Sequence, residues 1–357
     1  MTGSNFIFVV PKNFESVKTH FHWPEVNNIV FDYILDNESI YSSKSAKNLL
    51  LYSYYTCQCL NQRVEKYGAK KVFAINLIDF VPFAPFIFRR KIRISGIIYG
   101  IYLYNWKKSK WFTKLFNILK YQTISRCVVF SQIFILNDAA SARHFNTLYK
   151  TNKFAALPDP FIPLKTNTTF DFRKEHNISQ NKIVFAHFGS LSERKGTLLI
   201  LDSINLLSPE QKNKFVFAFA GKINSDIKNR FYQKYEQLKE NATLFLKDDF
   251  CTYEYLASLS QACDAILIPY QSIERSSGIV GYASQFKKPL IAPADGLLGK
   301  IVRTYNLGIT LRKLTPSLLV EAYVIISHNK KIGATSKYLI ENNVQNFQKA
   351  IECNLIN

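Results

Sequence analysis

Two short stretches in the second half of the chain hold the residue types that handle a phosphate. Phe188 to Gly196 reads F-G-S-L-S-E-R-K-G, and Glu274 to Pro289 reads E-R-S-S-G-I-V-G-Y-A-S-Q-F-K-K-P. Each sets a glycine turn and the expected start of a helix directly after a hydrophobic run that reads as a buried strand. Backbone N–H groups converge on an anion in that setting, because the first N–H groups of a helix lack intrahelical partners and lie at its positive end. Gly189, Ser190 and Gly196 frame the first turn, where Lys195 and Arg194 bring two cations. In the second, Ser276 and Ser277 offer hydroxyls, Gly278 allows close backbone approach, and Ile279 opens the helix. Together they read as the pocket for the diphosphate of a nucleotide-sugar. The plainer reading of Ser276 to Gly278 is a serine N-cap with no ligand.

The chemistry such a pocket performs is dictated by its leaving group. Breaking the bond between sugar and diphosphate builds negative charge on the β-phosphate, so fixed positive charge must wait there. Lys195 is the first candidate for that role and Arg194 its neighbour. Other polar residues are weaker candidates. Glu274, taken alone, is as compatible with a surface position before a helix as with a site. His187 alternates onto the same strand face as Phe185 and reads as a core histidine. Asp79 follows a strand, where a parallel sheet opens to its ligand, and is the acceptor-side candidate; a cap before Pro82 is its structural alternative. No DxD-like carboxylate pair stands in a suitable loop, so no metal requirement and no cofactor are expected.

These residues need a scaffold, and the hydrophobic pattern supplies one twice. Asn5 to Val10, Asn28 to Phe31, Lys71 to Ile75, Ile92 to Ile98 and Gln132 to Leu136 are short apolar runs between helical stretches, the clearest being Ser45 to Lys66. After a Thr/Asn-rich segment the alternation resumes with Ile183 to Phe188, Phe215 to Ala220, Thr243 to Leu246, Ala265 to Pro269 and Pro289 to Ala292. Helices are expected between them at about Gly196 to Leu207, Ser225 to Glu240, Thr252 to Ala262 and Gly278 to Phe286, with a last one at Ser336 to Glu352. Alternation of this kind builds parallel sheets covered on both faces. The expected organisation is a first domain over 1–160, a linker over 161–180, a second domain over 181–335 and a terminal helix over 336–357 that packs back on the first domain. A ligand cleft is expected between the carboxyl ends of the two sets of strands.

Composition is consistent with two cores. A chain of 357 residues exceeds one ordinary core, and 29 Phe with 20 Tyr can fill two. No uncharged apolar run reaches the roughly 18 residues that span a bilayer, and Met1 to Phe14 lacks the pattern of a secretory leader. The six cysteines are scattered, and Cys57 and Cys59, one residue apart, fit neither a redox pair nor a zinc knuckle; reduced thiols in the cytoplasm are expected. The sequons at Asn167, Asn177 and Asn241 are then chance matches.

Charge is more informative in its placement than in its total of +20. No acidic residue occurs between Asp79 and Asp138, whereas ten Lys and Arg do. Within that interval Trp106 to Tyr121 reads as one helix, with Trp111, Leu115, Ile118 and Tyr121 on one side and Lys107, Lys110 and Lys114 on another. Trp106 and Phe112 flank the stripe. Aromatic residues opposite lysines suit the headgroup layer of an anionic membrane; the ordinary alternative is a surface helix packed on its own domain. No nucleic-acid partner is expected, since no fold signature for one is present.

Over about Lys182 to Leu311 the sequence resembles the retaining family 4 glycosyltransferases of the GT-B fold. Members carry G-R-L-x-x-E-K-G at the first site, where this chain has Gly189, Leu191, Lys195 and Gly196 in place but Ser190 for the arginine. At the second site the pattern is Glu, seven residues, Glu, then G-K-P; it places Glu274 first and Tyr282 second. The resemblance implies an α/β, GT-B fold of two Rossmann-like doubly wound domains facing each other across a cleft. It also implies that Glu274 contacts the donor sugar, and that Tyr282 occupies the position of a ribose-holding glutamate. A phenol makes one hydrogen bond there and cannot bind a diol through two acceptor oxygens. No general base is evident, so retention is expected, with transfer from a UDP- or GDP-linked sugar to a lipid-linked or glycan acceptor in bacterial surface polysaccharide synthesis, peripherally on the inner face of the plasma membrane. A non-catalytic GT-B subunit is the alternative that Ser190 and Tyr282 leave open.

Overall fold

The computed structural model describes residues 5–20, 26–34, 49–166, 170–329, 332–333 and 335–355. Residues 45–48, with which the longest expected helix opens, and Asn167 of the first sequon lie outside these. Two compact units are present: residues 1–98, 111–134 and 142–155 form one, and residues 99–110, 135–141 and 156–357 the other.

In the first unit β1 (Phe6–Pro11) and β2 (Ile29–Ile34) form a parallel pair. Asp32, buried on β2, anchors them to the helix Leu49–Tyr67 by accepting from Arg63 at 2.8 Å, Lys66 at 3.0 Å and the Tyr67 hydroxyl at 2.8 Å. A second sheet has the order β3 (Lys71–Ala74), β4 (Arg93–Ile98), β5 (Phe130–Leu136), β6 (Phe154–Leu157). β6 (FAAL) is not among the expected strands; two of its four residues are alanine, which has little preference for strands.

The helix expected over Trp106 to Tyr121 is two elements: a 3-10 helix, Tyr102–Lys108, and an α-helix, Trp111–Arg126. Ser109 ends the first. Its N–H bonds the carbonyls of Asn105 and Trp106, its hydroxyl donates to Asn105 O at 2.8 Å, and its backbone turns extended. The α-helix therefore starts a new phase. Tyr121 and Ile124 are buried, with Tyr121 packed on Phe145 at 4.7 Å, whereas Trp111 is 75% exposed and Phe112, Leu115, Phe116 and Leu119 are also exposed.

The second unit is a doubly wound sheet. Its strands are β7 (Ile183–Phe188), β8 (Phe215–Ala220), β9 (Thr243–Lys247), β10 (Ala265–Leu267), β11 (Leu290–Pro293) and β12 (Gly308–Leu311). They run parallel in the order β12-β11-β10-β7-β8-β9. Every residue of β7 and β8 is buried, which is why both read as unbroken hydrophobic runs. Val184, Ala186 and Phe188 enter the core on one face of the sheet, and Ile183 and Phe185 the core on the other. Chain direction across the sheet reverses between β7 and β10, and the carboxyl ends flanking such a switch point are where doubly wound sheets bind ligands. Both expected motifs begin near there.

Three further features depart from the sequence reading. β12 and the helix Pro316–His328 were not anticipated. The terminal helix is broken into Lys337–Glu341 and Val344–Leu355. At the break the Asn342 amide turns back to Tyr338 O at 3.0 Å and its oxygen accepts from the N–H of Asp159, while Asn343 donates to Leu339 O. Side chains that bond the backbone in this way compete with the helical ladder. Finally, residues 161–180 include a short helix, Phe172–Glu175, capped by Asp171, with Phe172 buried in the core and Arg173 paired to Asp264 at 2.7 Å. More of that stretch is packed than its polar composition suggests.

Candidate active site

The first motif forms a turn at the carboxyl end of β7. Gly189 has φ +93 and Gly196 φ +73, conformations that only glycine adopts without strain. A Cβ on Gly196 would stand 2.3 Å from Pro269 O, so the turn lies directly on the chain leaving β10. Gln271 N–H bonds Arg194 O at 2.9 Å and holds the same junction.

Lys195 points back across this turn. Its Nζ lies 2.6 Å from where a Cβ on Gly189 would stand and 5.6 Å from the centre of the Tyr270 ring. No carboxylate pairs with it among the described residues. Burial, and then the charge of Arg194, bring its ammonium down to about 8. A cation left short of negative charge in this way is set to accept an anion. Arg194 is exposed and adds a second positive charge.

The second motif meets the first at Tyr270. The Ser277 hydroxyl contacts the Tyr270 hydroxyl at 3.5 Å and accepts from the N–H of Ile279 at 3.4 Å. Gly278 precedes the helix Ile279–Gln285 with helical φ, and a Cβ added there would meet nothing within 4 Å. The backbone at Gly278 is therefore open to a ligand. Ser276 is tied elsewhere: its Oγ accepts from Asn137 Nδ2 at 2.8 Å, and that same nitrogen donates to the Tyr338 hydroxyl.

Glu274 is fully engaged. Asn105 donates to Oε2 at 2.8 Å and Ser272 to Oε1 at 2.9 Å. Burial alone would raise this carboxyl; its own backbone N–H, Asn105, Ser272 and the charge of Arg275 outweigh that and hold it below the usual glutamate value. The segment supplying Asn105 also pairs with it through the backbone, Ile101 N–H bonding Glu274 O at 3.2 Å. Beside this, Asp138 is buried and accepts from Lys300, Tyr104 and Ser141, an ion pair that fixes the residues following β5.

Of the other expected site residues, Ser190 is exposed and donates to Asn224 Oδ1 at 2.7 Å. Tyr282 packs its ring on Phe161, with centroids 5.5 Å apart, and on Phe188 at 6.2 Å. Its environment is aromatic, with burial raising its phenol. Asp79 belongs to the first unit, in the 3-10 helix Leu77–Phe80 whose N-cap is Asn76, and its charge acts on Tyr52 and Lys120. Trp106 is half-buried against Tyr102 in the 3-10 helix, Lys107 and Lys110 are exposed, Lys114 is partly covered, and Trp111 stands out from its helix. Asp248, directly after β9, accepts from Ile223 N–H and the Tyr232 hydroxyl.

Three participants were not legible beforehand. Asn105 and Asn137 lie about 170 and 140 residues from their partners, and no local pattern marks them. Tyr270, which follows the strand expected over Ala265 to Pro269, joins both motifs.

Known proteins share the family and the fold of this chain. The profile of the family described as "Glycosyl transferases group 1" matches residues 168–347. No protein of curated function matches the sequence. Among solved structures, WaaG, a glycosyltransferase involved in lipopolysaccharide biosynthesis, superposes with a TM-score of 0.68 at 12% identity over 98% of this chain and 100% of that one. HepE of Anabaena, in complex with UDP-glucose, gives 0.67 at 15% identity over 97% and 90%. An α,α-trehalose-phosphate synthase (UDP-forming) from Burkholderia xenovorans gives 0.68 at 11% identity over 98% and 100%.

Proposed function

Since the chain belongs to the glycosyl transferases group 1 family and has the GT-B fold, it is a glycosyltransferase using a nucleotide-sugar, and we propose that its donor is UDP- or GDP-linked and its acceptor lipid-linked or a glycan. The reaction proceeds with retention and without a metal, in bacterial surface polysaccharide assembly at the inner face of the plasma membrane. The observation that carries the donor assignment is Lys195, a largely buried ammonium with no carboxylate partner among the described residues, standing over Gly189 and near the Tyr270 ring.

In this mechanism the diphosphate spans the two glycine turns. Lys195, with Arg194, neutralises the charge that grows on the β-phosphate as the glycosidic bond breaks, a contact worth roughly 3–4 kcal/mol when preorganised. The hydroxyl of Ser277 and the backbone at Gly278 hold the phosphate oxygens. Glu274, kept ionised and oriented by Asn105 and Ser272, faces the sugar. With no evident side-chain base, the departing phosphate oxygen takes the acceptor proton, which is the basis for retention. A uridine nucleotide is favoured by two of the similar structures: HepE is in complex with UDP-glucose, and the trehalose-phosphate synthase is UDP-forming.

Membrane attachment rests on the helix Trp111–Arg126, whose exposed Trp111, Phe112, Leu115, Phe116 and Leu119 lie in an interval without acidic residues. No helix among the described residues is long and apolar enough to cross a membrane, so attachment is peripheral.

The first test is a thermal-shift panel of UDP, GDP, ADP, CMP and dTDP on the wild type and Lys195→Ala. UDP or GDP should stabilise the wild type and not the variant; no shift with any nucleotide refutes the donor assignment. Slow hydrolysis of the matching nucleotide-sugar then separates an active enzyme from a binding-only subunit. Retained anomeric configuration in the released sugar and unchanged turnover in EDTA check the remaining two features.

A further inference from the structure

We propose that His187 is a positioning residue for the cationic turn: through Thr197 it sets the backbone of Ser192 to Gly196 and so the reach of Lys195 toward the β-phosphate. This rests on the diphosphate reading given above. His187 is the fifth residue of β7 and is 1% exposed. Its Nδ1 lies 2.8 Å from Leu267 O at the end of β10, and its Nε2 lies 3.0 Å from Thr197 Oγ1. Thr197 Oγ1 in turn accepts from the N–H of Ser192 at 3.0 Å. Thr197 is fully buried and Ser192 nearly so.

The two backbone partners determine the direction of the end bonds, and the neutrality of the ring determines that of the bond between Thr197 and Nε2. A backbone carbonyl only accepts and a backbone N–H only donates. Nδ1–H therefore donates to Leu267, the Thr197 hydroxyl donates to Nε2, and Ser192 N–H donates to Thr197. Of the two neutral tautomers only the one with its proton on Nδ1 satisfies all three. Burial supplies that form by lowering the ring to about 4, so the chain is intact throughout the neutral range.

The turn it braces is short. Apart from this chain, its internal bonds are Lys195 N–H to Ser192 O at 3.1 Å, Gly196 N–H to Glu193 O at 2.9 Å and Thr197 N–H to Ser192 O at 3.3 Å. Bonds within a turn preserve its shape but do not fix it to the sheet. The histidine ties the turn to β7 and β10, the two strands at the switch point, and acts there beside the Gln271 N–H to Arg194 O bond. An apolar residue at 187 would fill the space and leave the Thr197 hydroxyl and the Leu267 carbonyl without this partner. The cost would fall on the placement of Lys195.

The experiment is calorimetric titration of UDP with UMP, and of GDP with GMP, into the wild type, His187→Phe, Thr197→Val and Thr197→Ser, each first checked by circular dichroism and melting. Only the diphosphates carry the phosphate that Lys195 is placed to meet. The expected result is a loss of tenfold or more in diphosphate affinity for His187→Phe and Thr197→Val, with monophosphate affinity within twofold of wild type. Thr197→Ser, which keeps the hydroxyl, should behave as wild type. Should His187→Phe fail to fold, Thr197→Val and its serine counterpart carry the same comparison. Equal weakening of diphosphate and monophosphate, or no weakening in folded variants, overturns the proposal. A wild type that binds all four nucleotides poorly refutes the donor reading itself, whereas a wild type that prefers diphosphates with variants that also do refutes the role of His187 alone.

Discussion

At the scale of single residues the site is an arrangement of imbalanced charge. Lys195 is largely buried and pairs with no carboxylate among the described residues, so a bound diphosphate would restore its ordinary basicity while the empty protein does not. Diphosphate affinity should therefore fall as pH rises through about 8, where the empty site loses its proton, and calorimetric titrations between pH 6.5 and 9.5 measure this. The corresponding stability effect has the opposite slope. Between about 8 and 10.5 the unfolded chain still holds the proton that the folded one has released, so the empty protein gains stability as pH rises across that window. Glu274 illustrates the converse, a carboxylate supported on both oxygens. Asn105→Ala removes one support and should raise the carboxyl, moving the acid limb of the pH–rate profile upward and lowering turnover about tenfold, with donor affinity little changed. Glu274→Gln should lose turnover whatever the pH.

Among the elements, two glycines separate structural from ligand roles. At Gly196 a Cβ meets Pro269 O at 2.3 Å and the backbone is left-handed, so Gly196→Ala should destabilise by about 1–3 kcal/mol. At Gly278 a Cβ meets nothing and the backbone is helical, so Gly278→Ala should leave the melting temperature unchanged or slightly raised while weakening diphosphate binding. Chemical denaturation beside nucleotide titration of the pair distinguishes cost to the fold from cost to the ligand. The helix Trp111–Arg126 poses the same question for a surface. Because Trp111, Leu115 and Leu119 are exposed, replacing all three with serine should change stability by less than about 0.5 kcal/mol for each substitution. Flotation with anionic vesicles should nevertheless drop at least tenfold; unchanged flotation would mean that this face does not touch lipid.

For the molecule as a whole the excess of positive charge governs how it meets anionic surfaces. With a net charge of +20 and no acidic residue between Asp79 and Asp138, vesicle association should weaken steeply between low and physiological salt, over which the screening length shortens to about 8 Å. Reversing Lys107, Lys108 and Lys110 to glutamate should flatten that salt dependence, as sedimentation with anionic and neutral vesicles would register. Nucleotide binding, which depends on partly buried charge, should respond far less to salt. The two forms of electrostatics are thus separable in one preparation.

Local chemistry accounts for what could be read from the sequence. Buried parallel strands such as β7 and β8 announce themselves as continuous apolar runs, and the turn at Gly189 and Gly196 follows from backbone geometry that few other residues tolerate, whereas Glu274 was singled out only by the family resemblance. β3 and β11 are as short as β6 and β12 but were expected from their apolar runs, whereas β6 is half alanine and β12 opens on glycine, residues with little preference for strands. The break in the terminal helix at Asn342 and the division at Ser109 depend on side chains that find backbone partners only in place. Asn105 on Glu274, Asn137 on Ser276, Tyr270 between the two motifs and His187 on Thr197 were decided by tertiary structure alone. Residues of that kind act through contacts made across many intervening positions, and a hydrogen bond between distant residues leaves no spacing in the chain by which it could be recognised.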